Sequence, residues 1–178
     1  MKPTLSVVCE EPEGSITRHI YPLMFTPENL VKFYEKSAQF PILFGRPINS
    51  IAEFLPYIID IDDNGVVKVN GAFWVIDDFV GVMYLNGIGD TGALAHITFF
   101  DRRFRGRQKL IKGMLRHVFD TYKLHRISVQ LPGYVGLSTM KFVSGMGFKL
   151  EGKLREAARY KDKDFDILLY GILESELK

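Results

Sequence analysis

The spacing of apolar residues changes along the chain and predicts where helices and strands lie. The clearest pattern begins near Gln108, where apolar side chains recur every three or four positions, as on one face of an amphipathic helix. The stripe consists of Leu110, Ile111, Met114, Leu115, Val118, Phe119 and Tyr122. This stretch is therefore expected to be a long helix.

Apolar runs of strand length surround this helix. Residues 93–100 precede it and residues 126–131 follow it. Two earlier runs, 66–76 and 79–85, are rich in β-branched and aromatic residues and are separated by Asp77-Asp78, which is typical of a hairpin. The middle of the chain therefore predicts three consecutive antiparallel strands.

The first quarter of the chain carries helix-start signals. Thr26 followed by Pro27 predicts a capped helix that extends to about Ala38. A second helix is expected after Ser50, with Pro56 interrupting it. Residues 15–21 form a candidate strand, and residues 1–13 are expected to be either a flexible arm or an edge strand.

The C-terminal part predicts a helix over 137–145 and two strands, 148–151 and 165–172. The strands are expected to be joined by a polar, charged connection that contains Arg155, Arg159 and residues 161–164. The whole order predicts a mixed α/β (α+β) fold: one domain over 1–178, with a mostly antiparallel central sheet flanked by helices.

Composition and charge limit the classes of protein to which the chain can belong. The chain has 178 residues, 47% apolar and 25% charged, and a net charge of +2, which argues against a nucleic-acid partner. Cys9 is the one cysteine, so no intrachain disulfide and no cysteine-based zinc site is expected. The sequence contains no apolar run of membrane-spanning or leader length, so we expect a cytoplasmic protein with no membrane partner. A metal site is not expected either.

The positive charge is concentrated where the long helix begins. Six basic residues lie between Arg102 and Lys112, directly after the strand 93–100. A helix N-terminus that follows a strand offers backbone N–H groups and a favourable dipole to a phosphate. The turn is therefore a candidate phosphate-binding corner.

Two stretches resemble the GNAT superfamily of N-acetyltransferases. The turn Phe104-Arg105-Gly106-Arg107, between a strand and a long helix, is similar to the start of the family's acetyl-CoA signature, Arg/Gln-x-x-Gly-x-Gly/Ala. Residues 141–156, followed by Asp166 and Tyr170-Gly171-Ile172-Leu173, resemble the C-terminal end of the branch that acetylates N-termini of ribosomal proteins. The resemblance spans about residues 15–173.

The resemblance implies a GNAT-like acyl-CoA N-acyltransferase fold and direct transfer of acetyl from acetyl-CoA to a primary amine, on a small molecule or a peptide N-terminus. The oligomeric state stays open, a homodimer included. The expected cofactor-binding residues are Phe99, Phe100, Arg102, Arg103, Arg105, Gly106, Arg107 and Gln108.

The signature departs from the family pattern in either alignment. If it starts at Arg105, Gln108 and Leu110 occupy the later glycine positions; if it starts at Arg103, Gly106 fits and Gln108 replaces the last small residue. Val143 stands where the family often has a tyrosine acid. These departures favour an alternative, a GNAT-fold binding or regulatory module with weak or no turnover.

Two residues are candidates for the proton transfers. His96 lies on the strand before the basic turn, and an ordinary histidine pKa of about 6.5 suits a base near neutral pH. Tyr134 follows the strand 126–131 and is the candidate acid for the leaving thiolate. Hydrogen-bonded or packing roles are the alternatives for both. Trp74 and the aromatic run 40–44 are candidates for an acceptor pocket or for the core.

Overall fold

A computed structural model describes residues 3–11, 14–101 and 104–177. Its centre is an eight-stranded sheet in the order β1-β2-β5-β6-β7-β8-β10-β9, in which only β7 and β8 run parallel among the described pairs. The strands are β1 (Leu5–Glu11), β2 (Gly14–Pro22), β5 (Ala72–Ile76), β6 (Gly81–Asn86), β7 (Gly92–Phe99), β8 (Arg126–Pro132), β9 (Lys149–Tyr160) and β10 (Lys163–Leu173). The predicted mostly antiparallel α/β fold is confirmed.

Four helices accompany the sheet: α1 (Pro27–Ala38), α2 (Ile51–Phe54), α3 (Arg107–Tyr122) and α4 (Leu137–Gly145). The predicted caps are present. Thr26 Oγ1 accepts from the Asn29 N–H at 3.2 Å, and Ser50 Oγ accepts from the Glu53 N–H at 3.3 Å. Pro56 lies in a 3₁₀ turn that ends the second helix. A separate small hairpin consists of β3 (Ile59–Ile61) and β4 (Val67–Val69).

The large sheet has a hydrophobic core on each face. On one face, the apolar stripe of α3 packs with Ala93, Ala95 and side chains of α4, and all members of the stripe except Tyr122 are buried. On the other face, Phe33 of α1 and Phe54 of α2 pack against Phe73 and Val82 of the sheet. The helices thus form one layer on each side of the strands.

The sheet opens between β7 and β8. The parallel ladder covers only Gly92–Arg126, Ala93–Ile127 and Leu94–Ser128, although β7 continues to Phe99 and β8 to Pro132. Beyond Leu94 the two strands therefore diverge in the middle of the sheet. The basic turn follows the free end of β7, so this opening and the start of α3 lie together.

The predicted strand 66–76 is wrong as one element, since it divides into β4 and β5, which belong to different sheets. Gly71 lies between them with φ of +138°, and a Cβ there would be 1.7 Å from the Leu85 carbonyl oxygen. The close passage of the chain over β6 therefore requires glycine. The hairpin at Asp77-Asp78 and the order β5, β6, β7 are confirmed.

Strands occupy both ends of the described chain. For residues 1–13 the alternatives are an arm and an edge strand. Residues Leu5–Glu11 form the edge strand β1, while Met1, Lys2, Pro12 and Glu13 lie outside the described residues. The expected charged connection is also wrong, because Arg155 and Arg159 belong to β9, which pairs with β10 up to the Tyr160–Lys163 pair. Most of β9 is exposed on both faces, so its sequence lacks the alternation by which a half-buried strand is recognised.

Candidate functional site

The N-terminus of α3 is shaped by Gly106, which precedes its first helical residue. Gly106 has φ of +73°, and a Cβ there would lie 2.7 Å from Cβ of the buried Cys9 on β1. A left-handed conformation and a close approach of two backbones both require glycine. Glycine has no side chain with which to cap α3, and the first N–H groups of an α-helix have no partner within the helix.

Arg107 holds the turn before α3 in place. Its Nε donates to the Phe104 carbonyl at 2.8 Å, and its Nη2 donates to the Asp101 carbonyl at 3.1 Å. The guanidinium also lies over the Phe99 ring, 5.1 Å from the centroid. On the other side of the turn, the Arg18 guanidinium lies 4.9 Å from the centroid of the buried Phe104 ring. These contacts join Asp101, Phe104 and Arg107 to one another and to β2.

The cavity beside this turn has a volume of about 560 Å³ and passes through the opening in the sheet. Its walls come from both faces. One part is formed by Phe142, Val143 and Met146 with Arg107, and the other by Phe33, Phe54, Tyr84 and residues of the loop after α1. Strands β7 and β8 contribute residues 95–99 and 129–132. A molecule can thus reach across the sheet where the strands separate.

The predicted cofactor-binding residues fall into three groups. Phe99, Phe100 and Arg107 line the cavity. Arg105 and Gln108 are exposed beside it, and Gly106 starts the helix. The remaining two, Arg102 and Arg103, lie outside the described residues.

Gln108 is accommodated by a glycine on the neighbouring helix. A Cβ at Gly145 of α4 would lie 2.7 Å from Nε2 of Gln108. The long side chain of Gln108 therefore reaches α4 at Gly145, where glycine leaves room for it. The departure from the family pattern has a local structural compensation.

His96 lies on the cavity wall and is largely buried. Its Nε2 is 3.2 Å from Oδ1 of Asn86, an atom that only accepts, so Nε2 carries the hydrogen and Nδ1 the lone pair. Burial lowers the pKa of His96 to about 4, because a charged imidazolium would lose its hydration. The imidazole is therefore neutral at physiological pH.

Tyr134 packs outside the cavity, and none of the described lining residues is Tyr134. Its ring lies 4.9 Å from that of Tyr160 and 5.5 Å from that of Phe165, on the hairpin of β9 and β10. Burial, together with the neighbouring Tyr160, raises the pKa of Tyr134, so its phenol stays protonated. The structure does not bring His96 and Tyr134 together on one wall.

Sequence reasoning missed several residues of the cavity. Ser37 is buried on α1 one helical turn after Phe33, and both line the cavity with Tyr57. The spacing of Phe33 and Ser37 is a signal for a shared helix face, but the pattern does not distinguish a core from a cavity. Phe40 and Phe44 of the aromatic run are on the wall, whereas Trp74 packs in the α3 core against Tyr122.

Two further properties concern the described part of the chain. No helix within it combines the length and the apolar character required to cross a bilayer. Within the same residues, no group of three or more histidine, cysteine or acidic side chains is arranged to hold a metal ion.

Comparison by sequence finds no protein-family model and no curated protein that matches the chain. Comparison by structure does find relatives of the fold. RimJ of Mycobacterium smegmatis, in complex with CoA-disulfide, has a TM-score of 0.68 and 16% identity over 99% of this chain and 92% of that chain. The spermidine N-acetyltransferase of Vibrio cholerae, in complex with CoA and spermine, has a TM-score of 0.70 and 19% identity over 89% and 96% of the two chains.

A third similar structure is the microcin C7 self-immunity acetyltransferase MccE, in complex with acetyl-CoA and AMP, with a TM-score of 0.63 and 18% identity over 86% of this chain and 92% of that chain. The chain has the GNAT fold. In this GNAT fold the opening between β7 and β8 and the uncapped start of α3 meet at one cavity.

Proposed function

We propose that the protein is an acetyl-CoA-dependent N-acetyltransferase that transfers acetyl directly to a primary amine. The observation that carries the proposal is the cavity that crosses the sheet beside the N-terminus of α3. Its walls come from both faces of the sheet and include the gap between β7 and β8. Direct transfer needs this arrangement, because the thioester and the amine must meet in one place. The three similar structures are complexes with CoA-disulfide, CoA and acetyl-CoA, which supports the same ligand here.

The phosphates of acetyl-CoA would bind at the basic turn. Backbone N–H groups at the start of α3 supply the favourable dipole, and Arg105, Arg107 and Gln108 supply charged and polar side chains there. Arg102 and Arg103 are proposed for the same role from the sequence. The pantetheine arm would lie along β7 near Phe99 and Phe100, where β8 has diverged and backbone hydrogen-bonding groups face the gap.

In the reaction, the amine nitrogen attacks the thioester carbonyl carbon, the C–S bond breaks, and the sulfur receives a proton. The products are an N-acetylamine and CoA. The lowered pKa of His96 makes it too weak a base to deprotonate a free ammonium. Attack on the carbonyl makes the amine nitrogen more acidic. Neutral His96 is proposed to accept the proton from that nitrogen after attack. The role of Tyr134 as acid for the thiolate stays a prediction.

The acceptor is proposed to be a small-molecule amine or a peptide N-terminus. One similar structure is a spermidine N-acetyltransferase with spermine bound, and another is RimJ. The closer relation to the ribosomal-protein branch, a cytoplasmic location and a homodimer are likewise proposals, based on the sequence. A GNAT-fold binding module without turnover is the second candidate, because Val143, which lacks a hydroxyl, stands on the cavity wall.

Thermal unfolding with and without acetyl-CoA tests the proposal. A ligand at 100 times its dissociation constant stabilises a fold by about 2.7 kcal/mol, which raises the melting temperature measurably. We expect such a shift, together with thiol release when an amine is added. A shift without thiol release over a panel of amines and peptides would indicate an acetyl-CoA binder without turnover. No shift at millimolar acetyl-CoA would reject the enzyme and leave the binding or regulatory module.

A further inference from the structure

The part of the cavity opposite α3 and α4 is walled by aromatic rings. We call it the aromatic lobe and define it as Phe33, Phe40, Phe44, Phe54, Tyr57 and Tyr84, all of which line the cavity. The rings contact one another: Phe33 and Phe54 have centroids 5.0 Å apart, and Phe44 and Tyr57 4.8 Å apart, both edge to face. Ring-to-ring contacts therefore hold the wall of the lobe together.

The loop between α1 and α2, which carries part of the lobe, contacts two other elements at Gly45 and Arg46. The Cβ position of Gly45 lies 2.7 Å from the Arg159 carbonyl oxygen, so this loop touches the hairpin of β9 and β10. Next to it, Arg46 donates to Glu53 at 2.9 Å, which forms an exposed ion pair between the loop and α2. The lobe is therefore an apolar pocket with a defined wall, of the kind that binds a ligand by burying its apolar surface.

The rim of the lobe is apolar too. Ile42, Leu43 and Tyr57 line the cavity and remain 36%, 42% and 41% exposed. The charged side chain on the cavity wall is a cation, Arg107, and among the described lining residues there is no aspartate or glutamate. A ligand that enters here exchanges water for ring faces and alkyl groups.

We propose that the acceptor is an amine carried on an apolar or aromatic group with no second positive charge, and that the aromatic lobe selects for it. This inference rests on the proposed acetyl transfer at the same cavity. Burial of the apolar group in the lobe provides the binding free energy. A second ammonium would lose its hydration among the rings. The cation–π attraction that it gains there is smaller than that loss, and no carboxylate among the described lining residues compensates for it.

The matched pair hexylamine and 1,6-diaminohexane tests this directly, because the two differ only in the second ammonium. With purified protein, acetyl-CoA and thiol detection, we expect kcat/KM for hexylamine to be at least about 30-fold higher, equivalent to about 2 kcal/mol. A diamine used as well as hexylamine, or better, would overturn the inference. Phenethylamine is expected to be at least as good a substrate as hexylamine.

Two tripeptide amides, Phe-Ala-Gly and Asp-Ala-Gly, distinguish a peptide source of the amine from a small molecule. Turnover of the Phe peptide in preference to the Asp peptide, with little turnover of hexylamine, identifies a peptide N-terminus with an apolar first residue. Turnover of hexylamine in preference to both peptides identifies a small molecule. Equal turnover of the two peptides, with equal turnover of hexylamine and the diamine, contradicts selection by the lobe.

A charge at the rim should change the preference. Leu43→Glu places a carboxylate at a 42%-exposed position on the cavity wall, and we expect it to raise the ratio of diamine to hexylamine kcat/KM about tenfold. Val66→Glu is the matched control, because Val66 is 51% exposed and lies before β4, away from the cavity. Melting curves verify that both variants fold. An unchanged ratio in Leu43→Glu would count against the lobe as the acceptor pocket.

Failure of the inference can be distinguished from failure of the proposed function. If acetyl-CoA raises the melting temperature and the diamine is acetylated as fast as hexylamine, acetyl transfer stands and the inference is overturned. If acetyl-CoA binds and none of these amines releases thiol, turnover fails and the inference fails with it.

Discussion

Tyr84 and His96 lie directly opposite each other on β6 and β7, with ring centroids 4.3 Å apart and ring planes within 5° of parallel. Phe73 on β5 continues the stack at 4.7 Å from Tyr84. Burial raises the pKa of Tyr84 to about 12 and lowers the pKa of His96 to about 4. Both rings are therefore uncharged at neutral pH, at the point where the sheet meets the cavity.

The low pKa of His96 predicts a loss of stability in mild acid. Between pH 6.5 and 4 the unfolded chain binds a proton at this histidine and the folded protein does not, so the free energy of unfolding falls as pH falls through this window. From pH 7.5 to pH 5 the histidine should account for a loss of about 2 kcal/mol. Urea unfolding at the two pH values measures it.

His96→Phe is the matched variant, because it keeps an aromatic ring against Tyr84 and removes the titration. Carboxylates contribute to acid sensitivity in both proteins, and the difference between them isolates His96. We expect the variant to lose about 2 kcal/mol less than the original over the same pH range. Parallel losses would mean that the folded protein already holds His96 protonated near pH 5.

Gly106→Ala should be costly. The substitution puts a side chain into a left-handed conformation and places its Cβ 2.7 Å from Cβ of Cys9, so we expect a loss of about 2 kcal/mol in unfolding free energy and weaker acetyl-CoA binding. Gly113→Ala on the same helix is the control. Its Cβ would meet only side-chain carbons of Leu5 and Val7 at 3.3 and 3.4 Å, and alanine favours the helix.

We therefore expect Gly113→Ala to change stability by less than about 1 kcal/mol. Chemical denaturation of the two variants provides the comparison. If Gly106→Ala were as stable as Gly113→Ala, the left-handed start of α3 and its contact with β1 would not be as described.

Arg105 and Arg107 should contribute to acetyl-CoA binding by different means. Arg105 is exposed, so Arg105→Ala removes a screened charge and is expected to weaken binding about threefold, with less effect at high salt. Arg107→Ala also removes the bonds to the Phe104 and Asp101 carbonyls that hold the turn. We expect a loss of more than about tenfold that persists at high salt.

Titration calorimetry at two salt concentrations measures both losses. Equal salt dependence for the two variants would show that Arg107 acts through its charge alone. Melting temperatures without ligand supply the control for a general loss of folding.

The pair Tyr134 and Tyr160 tests the predicted acid. Their rings are in contact, so Tyr134→Phe and Tyr160→Phe change similar surroundings, but only Tyr134 is proposed to donate a proton. If it does, Tyr134→Phe lowers kcat by about 100-fold and leaves KM for acetyl-CoA unchanged. Tyr160→Phe should retain kcat. Equal rates in the two variants would remove Tyr134 from the chemistry.

Local patterns were enough to predict most elements. Thr26 and Pro27 set the start of α1, and the apolar stripe identified α3, because these signals act over a few residues. The insertion of β8 between β7 and β10 depends on pairings between distant segments, such as Tyr170 with Val129. No local pattern carries that information. The division between β4 and β5 likewise depends on Gly71 passing over Leu85.

The candidate site was predictable only on the side of the basic turn. Phe99, Phe100 and Arg107 are adjacent in sequence to a recognisable signature, and the structure places them on the cavity wall. Ser37 and Tyr57 reach the same cavity from other segments through packing of α1 and α2 on the sheet. The lowered pKa of His96 also escaped prediction, because it results from burial that the sequence does not reveal.

The short contact between β7 and β8 has a consequence for how the polypeptide could be divided. Five strands of the large sheet precede the basic turn: β1, β2, β5, β6 and β7. The other three strands and α3 follow it. The two sets of strands are joined by only the three register pairs between β7 and β8 that the structure describes. A chain cut between Asp101 and Phe104 would give two fragments with complementary surfaces, since α3 packs on β1. We expect such fragments to reassociate when mixed. Acetyl-CoA would contact both fragments and is therefore expected to stabilise their complex.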